Sequence, residues 1–366
     1  MIKRKYVTLA ITEYCNLACR YCYEHKKTTK IMDFKVAKEI IDREMDEDDE
    51  YSEVMFDFFG GEPFTEFSLI KQCFEYIMSK KTSKKFLCFA VTNGTLITEE
   101  VKAWLRKNKD YFWCGLSYDG TKEMQDFNRS NSSKDIDLSF FYELWPEQPI
   151  KMTISEHTLP NMAEGIIFLH EQGFKVSANL AFGLDWSSEE NAMILERELG
   201  KLIEYYLDNP QIEPSTILNR NIAEITSEKC ANFRWCGAGV HMHTYNIDGI
   251  LYPCHFFMPI TLGTEKSEKA RQLDFSPSLK LHNEKCEKCP ILQICQICYG
   301  ASYQQFGDRK SRDENLCYLN QIIVRANAYF QWKRIEKYGI EKVAAESGCG
   351  ERNMLDAISI IQELAI

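Results

Sequence analysis

No apolar run in this chain of 366 residues comes near the roughly 18 residues needed to cross a bilayer. No membrane span and no membrane partner are expected. The opening stretch Met-Ile-Lys-Arg-Lys-Tyr-Val-Thr-Leu-Ala is too short in apolar residues for a secretory signal. Basic charge is also scarce: 44 Lys and Arg stand against 54 Asp and Glu, a net charge of −10. No basic stripe or block gathers them, so the electrostatic footprint of a nucleic-acid binder is missing. Internal repeats and low-complexity linkers are absent. The acidic run Asp46–Glu50 reads as a solvated helix end or loop.

Cysteine, by contrast, is abundant: 15 residues, an odd number. With no export signal the chain is expected to be cytoplasmic, where thiols stay reduced and serve metals rather than disulfides. The length allows two domains with substantial cores. An apolar share of 45% and an aromatic share of 13% fit a folded globular protein.

Three cysteines fall close together near the start. Thr12–Tyr23 reads Thr-Glu-Tyr-Cys-Asn-Leu-Ala-Cys-Arg-Tyr-Cys-Tyr, placing Cys15, Cys19 and Cys22 in a C-x3-C-x2-C pattern. Thiols spaced this way cannot converge from a strand or a straight helix, but they can from a tight loop around a polynuclear centre. Cysteine thiolates are the usual ligands of iron–sulfur clusters, and three of them leave one iron of a four-iron cube open for chemistry. The plainer alternatives are a zinc loop or buried cysteines. Structural zinc takes four ligands, and His25 is the nearest candidate for a fourth.

The first half of the chain alternates strand and helix. Strands are expected over Lys5–Thr12, Val54–Phe59, Phe86–Val91, Phe112–Ser117, Ile150–Ser155 and Lys175–Ala181. Helices are expected over Phe34–Met45 with Asp33 as cap, Phe67–Ser79, Thr98–Lys107, Met162–Glu171 closed by Gly173, and Ser188–Leu207. Six βα units in succession imply an α/β fold with a parallel sheet, either a partial barrel or an open doubly wound sheet. Polar and glycine-rich turns follow the strands: Gly60-Gly61-Glu62-Pro63, Thr92-Asn93-Gly94 and Ser117-Tyr118-Asp119-Gly120. In barrels that end of the sheet carries the active site. As ordinary turns, the same segments need no ligand.

After Asn209-Pro210 the alternation stops. Eight cysteines follow between Cys230 and Cys317, a stretch with too little apolar content to fold without metal. The chain thus divides into 1–210, a Cys-rich segment 211–330, and a helical tail 331–366 that packs back on one of the domains. Cys73, Cys88, Cys114 and Cys349 lie outside both sets and read as small buried hydrophobes. His241 and His243 alternate along an expected strand, which suits hydrogen bonding better than metal.

The first motif resembles the signature of the radical S-adenosylmethionine (SAM) enzymes. The resemblance implies that Cys15, Cys19 and Cys22 hold a [4Fe–4S] cluster whose open iron chelates SAM. Reductive cleavage of SAM then yields a 5′-deoxyadenosyl radical. It favours a partial (β/α)6 barrel. It also implies SAM contacts from Tyr21 and Tyr23, from Gly60, Gly61, Glu62 and Pro63, from Thr92, Asn93, Ser117 and Asp119, and from Arg129 on the SAM or substrate side. The second set, Cys230-x5-Cys236-x12-Gly249-x4-Cys254 followed by Cys286-x2-Cys289-x5-Cys295-x2-Cys298 and Cys317, is similar to the SPASM extension of radical SAM enzymes that mature peptides and proteins. The usual pattern has three residues between the last close pair, and here there are two.

By that resemblance Cys230, Cys236, Cys254 and Cys298 hold one auxiliary [4Fe–4S] cluster, and Cys286, Cys289, Cys295 and Cys317 a second. Three clusters and SAM are then the cofactors. Two zinc sites with four thiolates each would fit the spacing alone. Anaerobic sulfatase maturases carry a catalytic Asp after the third cysteine of this set. This chain has His255 there, the candidate base. The expected activity is therefore maturation of a ribosomally made peptide, forming a thioether or C–C crosslink. Formylglycine formation by a sulfatase maturase is the alternative, and a non-catalytic electron carrier or binding module the alternative of another class. A peptide or protein substrate, a flavodoxin- or ferredoxin-like electron donor and a separate leader-binding protein are the expected partners, since the chain begins almost at its first strand.

Overall fold

The computed structural model describes residues 3–227 and 233–364. It contains two compact units. The first comprises Met1–Tyr118, Gln125–Lys151 and Gly237–Leu279, and the second Asp119–Met124, Met152–Cys236 and Lys280–Ile366.

The elements follow in order as β1 (Arg4–Thr12), α1 (Phe34–Asp46), β2 (Glu53–Gly60), α2 (Phe67–Ser79), β3 (Lys85–Thr92), α3 (Glu99–Asn108), β4 (Phe112–Leu116), α4 (Lys122–Asn128) and α5 (Leu138–Leu144). Next come β5 (Ile150–Ile154), α6 (Met162–Glu171), β6 (Val176–Leu180), α7 (Glu189–Asp208), β7 (Met242–Tyr245), β8 (Leu251–Tyr252), α8 (Pro259–Leu262) and α9 (Thr264–Arg271). The chain closes with α10 (Glu284–Glu287), α11 (Tyr299–Phe306), α12 (Glu314–Tyr338), α13 (Ile340–Glu346) and α14 (Glu351–Gln362).

In the first unit β1 to β4 pair in parallel, in the order β4-β3-β2-β1, and β7 and β8 extend the sheet beyond β1. Strand β2 shows why the sheet has two distinct faces. Val54, Phe56 and Phe58 are buried while Met55, Asp57 and Phe59 are half-exposed, the period of two that a strand requires. Phe58 stacks on Phe112, and Phe112 meets Phe74 of α2 edge-on, so the first set faces the helices. Asp57 and Phe59 therefore face the opposite way.

The caps form as their sequence implies. Asp33 accepts from the Lys35 N–H at the start of α1, and Thr98 accepts from the Val101 N–H at the start of α3. Beyond β4, Ser117 bridges in parallel to Lys151 of β5, and β5 neighbours β6.

One polar cluster lies inside the first unit. Lys5, with no exposed surface, pairs with Glu44 at 2.7 Å and Asp49 at 2.6 Å. Glu44 also accepts from His243 at 3.0 Å and from the Tyr245 hydroxyl. These bonds tie α1 to β7 and add to the parallel pairing with β1 that places so late a strand in the first sheet. His243 thus makes a hydrogen bond, as its position in the strand suggested.

In the second unit, α12 packs along α7, with Phe330 and Tyr206 rings 6.1 Å apart. Met354, Ala357, Ile358 and Ile361 form one buried face of α14 at helical spacing. They join Ile222, Val324, Ala328 and Val343 in a single core. The apolar end of the tail is thus consumed by packing.

Candidate active site around the N-terminal thiolates

The Cys15–Cys22 loop leaves β1 and is gripped from three sides. The first grip is the end of β2. Gly60 has φ of +139°, and a Cβ there would sit 2.0 Å from the Thr12 carbonyl oxygen. A Cβ on Gly61 would sit 2.3 Å from the Tyr14 carbonyl oxygen and 2.9 Å from the Cys15 Cβ. Only glycine fits both positions. The Gly61 and Glu62 N–H groups donate to Thr12 and Tyr14 at 3.2 and 2.9 Å. The glycine pair serves the loop backbone directly, a role the bare Gly-Gly-Glu-Pro motif did not disclose.

Glu62 is the hub of the second grip. Its buried carboxylate accepts from Thr92 Oγ1 at 2.7 Å, the Asn93 N–H at 2.7 Å and the Phe64 N–H at 3.2 Å. Burial raises its pKa, the Asn93, Thr92 and Phe64 donors and the Arg129 charge oppose, and the balance is pushed up to about 7. Pro63 is buried beside it and opens a short 3-10 turn. Asn93 Nδ2 donates to Asn16 Oδ1 at 2.9 Å, which fastens the end of β3 to the cysteine loop.

The third grip is the segment around Arg129. The Arg20 N–H donates to the Asn128 carbonyl at 3.0 Å, and Arg20 Nε to Phe127 at 2.9 Å. The Ala18 N–H donates to Ser130 Oγ at 3.0 Å. Ser130 and Asn131 both hold positive φ, of 58° and 55°, a local strain that such an over-determined clamp sustains. Arg129 is buried, lies 5.3 Å from the Tyr21 ring and acts on Glu62. The structure thus brings Tyr21, Glu62 and Arg129 together. Asn16, Arg20 and Ser130 are missed by sequence reasoning because their partners are more than 75 residues away.

The thiols themselves sit beside a cation. Lys27 Nζ lies 3.2 Å from Cys22 Sγ. Burial lowers the Lys27 pKa, the Cys22 and Cys15 sulfurs raise it, and the result is above the ordinary lysine value. Burial raises the Cys15 thiol, with the Leu17 N–H and Lys27 opposing. A positive charge over sulfur favours the thiolate that a metal needs. Lys27, five residues after Cys22, carries no signal of its own in the sequence.

Tyr23 turns elsewhere: it stacks on Phe256 at 4.0 Å and lies 5.7 Å from His255. His255 also contacts Phe59 at 4.8 Å, on the sheet face away from the helices. Burial and then the Lys151 charge push its pKa down to about 3. The imidazole is therefore neutral at physiological pH and hard to protonate. Asp119, fully buried, accepts from the Thr153 N–H at 2.9 Å. Ser117 is buried and its N–H donates to Thr92.

The distal cysteines fall into groups. In the second unit Cys295 feels Cys317, Cys289 and Cys286, whereas Cys298 feels Cys236. A cavity of about 170 Å³ is lined by Cys286, Cys289, Cys295, Cys298 and Cys317. Cys254 is buried in the first unit, and Cys230 lies outside the described residues. Among the described residues, no three His, Cys, Asp or Glu side chains are grouped to hold a single metal ion. Cys73, Cys88 and Cys114 are buried, with burial raising each thiol pKa, Cys73 to about 12.

The radical SAM superfamily model matches residues 9–197, from β1 into the first half of α7. The chain belongs to the radical SAM superfamily. Membership implies a [4Fe–4S] cluster and SAM. The donor set suits them: three thiols on one loop, a lysine 3.2 Å from the Cys22 sulfur, and a backbone cradle where a Cβ would clash.

This radical SAM enzyme is 26% identical over 325 residues to the cysteine-type anaerobic sulfatase-maturating enzyme of Clostridium perfringens strain 13, covering 77% of this chain and 85% of that one. It is 20% identical to the radical SAM cyclopropyl synthase TigE of Paramaledivibacter caminithermalis, covering 92% and 76%. An uncharacterized protein of Methanocaldococcus jannaschii is 34% identical over 116 residues, and the match spans only 39% of its length.

Among solved structures, anSMEcpe with bound AdoMet and Cp18Cys peptide superposes with a TM-score of 0.67 at 20% identity, covering 92% of this chain and 99% of that one. Streptococcus suis SuiB bound to precursor peptide SuiA gives 0.56 at 17%, covering 86% and 76%. The α/β architecture is thus the radical SAM fold. Among the described residues no helix is long and apolar enough to cross a membrane.

Proposed function

We propose that this chain is a peptide maturase: it cleaves SAM reductively and uses the 5′-deoxyadenosyl radical to take hydrogen from a ribosomally made peptide, forming a thioether or C–C crosslink. The carrying observation is the three-sided clamp on the Cys15–Cys22 loop, which converges on Glu62, Arg129 and Tyr21. A loop held this tightly keeps three thiolates in one arrangement, and the strand ends beside it supply the polar surface that a nucleoside and an amino acid moiety require. We assign residues 1–210 to a partial (β/α)6 barrel, 211–330 to a SPASM-type segment and 331–366 to a helical tail.

Cys15, Cys19 and Cys22 would hold the first cluster. Cys230, Cys236, Cys254 and Cys298 would hold a second, and Cys286, Cys289, Cys295 and Cys317 a third. The mutual influence of Cys286, Cys289, Cys295 and Cys317, and of Cys236 with Cys298, supports this division. When bound, the first cluster supplies the electron that cleaves SAM and the others a path for electrons away from the substrate. For SAM we assign Gly60, Gly61, Glu62, Pro63 and Ser117 beside the loop, with Arg129 and Tyr21 at the substrate edge. Thr92, Asn93 and Asp119 act chiefly by holding the strand ends, because Glu62, Asn16 and Thr153 engage them. Tyr23 supports His255 through the stack with Phe256.

Sulfatase maturation is the second reading, favoured by the similarity to the Clostridium perfringens enzyme. His255 speaks against it: it follows Cys254 at the position where the resemblance to those maturases implies an aspartate. Anaerobic purification and reconstitution is expected to yield about 12 iron atoms per chain. Incubation with reductant and SAM is expected to yield 5′-deoxyadenosine, and without that product the enzyme reading fails. Mass spectrometry of a short peptide encoded beside the gene then identifies the bond. Conversion of a sulfatase peptide to formylglycine, with no change in the neighbouring peptide, would select the second reading.

A further inference from the structure

The second unit encloses an arginine whose charge is balanced by no carboxylate among the described residues. Arg220 is 9% exposed. Its Nε has no hydrogen-bond partner there, and the charged group acting on it is the Cys295 sulfur. Nη1 donates to Asn320 Oδ1 at 2.6 Å, and Asn320 Nδ2 donates in turn to Cys295 Sγ at 3.2 Å. Arg220 and Asn320 line the same cavity as Cys286, Cys289, Cys295 and Cys317. Lys285 also lies near Cys317 and Cys286, but its charge is taken up by Glu314 at 2.9 Å. Burial draws the guanidinium down to about 10, still cationic at neutral pH.

A cation removed from water without a counter-charge is strongly destabilising, and a group of this kind persists where an anion completes it. Four thiolates around a [4Fe–4S] centre carry such negative charge. A fixed positive charge and N–H···S bonds both stabilise the more negative, reduced form of a centre. Gln321 Nε2 adds a second, longer contact, 3.7 Å from Cys317 Sγ.

We propose that Arg220 is the built-in counter-ion of the thiolate set Cys286, Cys289, Cys295 and Cys317, and that with Asn320 it raises the reduction potential of the iron–sulfur centre this set holds. The proposal rests on the three-cluster reading above. It makes this centre the favoured resting place for an electron removed from the substrate. Arg220 acts as a positioning and charge-balancing residue, with no contact to substrate.

The test is an anaerobic redox titration of the reconstituted full chain, followed by electron paramagnetic resonance, on the wild type, Arg220→Gln and Arg220→Lys. One centre is expected to titrate lower in Arg220→Gln by at least a tenfold change in its reduction equilibrium, about 59 mV for one electron. Arg220→Lys is expected to retain most of the wild-type value, and the other centres to stay in place. Unchanged potentials in Arg220→Gln at equal iron content overturn the proposal. About four irons per wild-type chain would instead defeat the auxiliary-cluster reading itself. If Arg220→Gln loses iron, the metal-free proteins decide. The variant is expected to melt no lower than the wild type, because its unbalanced charge is gone, and a lower melt would show a purely structural arginine and overturn the proposal.

Discussion

Asp57 is the residue whose removal is expected to strengthen the protein. It points from β2 to the sheet face away from the helices. Thr8 Oγ1 reaches its Oδ2 only at 3.4 Å, and its Oδ1 has no hydrogen-bond partner among the described residues. Burial raises its pKa, Thr8 and the Lys151 charge oppose, and the balance is pushed from 3.8 up to about 7. The folded state therefore binds this proton more tightly than the unfolded chain does. That contribution to stability is complete below about pH 4 and is lost as the pH rises through about 7.

The difference corresponds to about 4 kcal/mol at about 1.4 kcal/mol per tenfold. This is an upper bound, because water admitted to a half-buried side chain screens the charge. Asp57→Asn keeps the shape and cannot ionise. It is expected to be more stable than the wild type by about 2 kcal/mol at pH 8, a rise of about 4 °C in melting temperature, with little difference at pH 4.5. Differential scanning fluorimetry at the two pH values measures this directly. Equal destabilisation at both would refute the reasoning, since it would mean that the carboxylate has a stabilising partner. A carboxyl kept at such a cost, on the face that also carries His255, fits the general trade between stability and activity.

Other perturbations follow from the same geometry. Gly61→Ala drives a methyl into the Tyr14 carbonyl and the Cys15 Cβ; we expect loss of iron from the N-terminal loop and a melting temperature lower by several degrees, read by iron assay and fluorimetry. Lys5→Met removes the cation that pairs with the buried Glu44 carboxylate at 2.7 Å and leaves it only the His243 and Tyr245 hydrogen bonds, and is expected to cost about 3 kcal/mol in denaturant titration; an effect under about 1 kcal/mol would place the cluster in water. Lys27→Met removes the cation 3.2 Å from Cys22; slower cluster reconstitution with unchanged melting of the metal-free protein is the expected outcome. Ile358→Ala opens the core beneath α14 and is expected to cost about 2–4 kcal/mol, measured by the same titration.

Local chemistry made much of this protein legible from its sequence. The period of two in Glu53–Gly60 and the caps Asp33 and Thr98 are properties of neighbouring residues, and the six strands of the βα units fall within about two residues of their expected ends. The spacing of Cys15, Cys19 and Cys22 is equally local, so the three-thiolate loop and its chemistry follow from the chain alone. The uses of the surrounding side chains do not. Gly61 is glycine because of the Tyr14 carbonyl, and Asn93 spends its amide on Asn16, 77 residues away. Residues Gly237–Leu279 join the first unit through the pairing of β7 with β1 and through the bonds of His243 and Tyr245 to Glu44 about 200 residues upstream. Arg220 and Cys295 look unrelated in sequence until folding sets both on one cavity. Spacing decides which atoms can ligate, because it is set by covalent geometry. Burial and the partners that come with it decide which charges persist and which hydrogen bonds are spent, and these exist only once distant segments have packed.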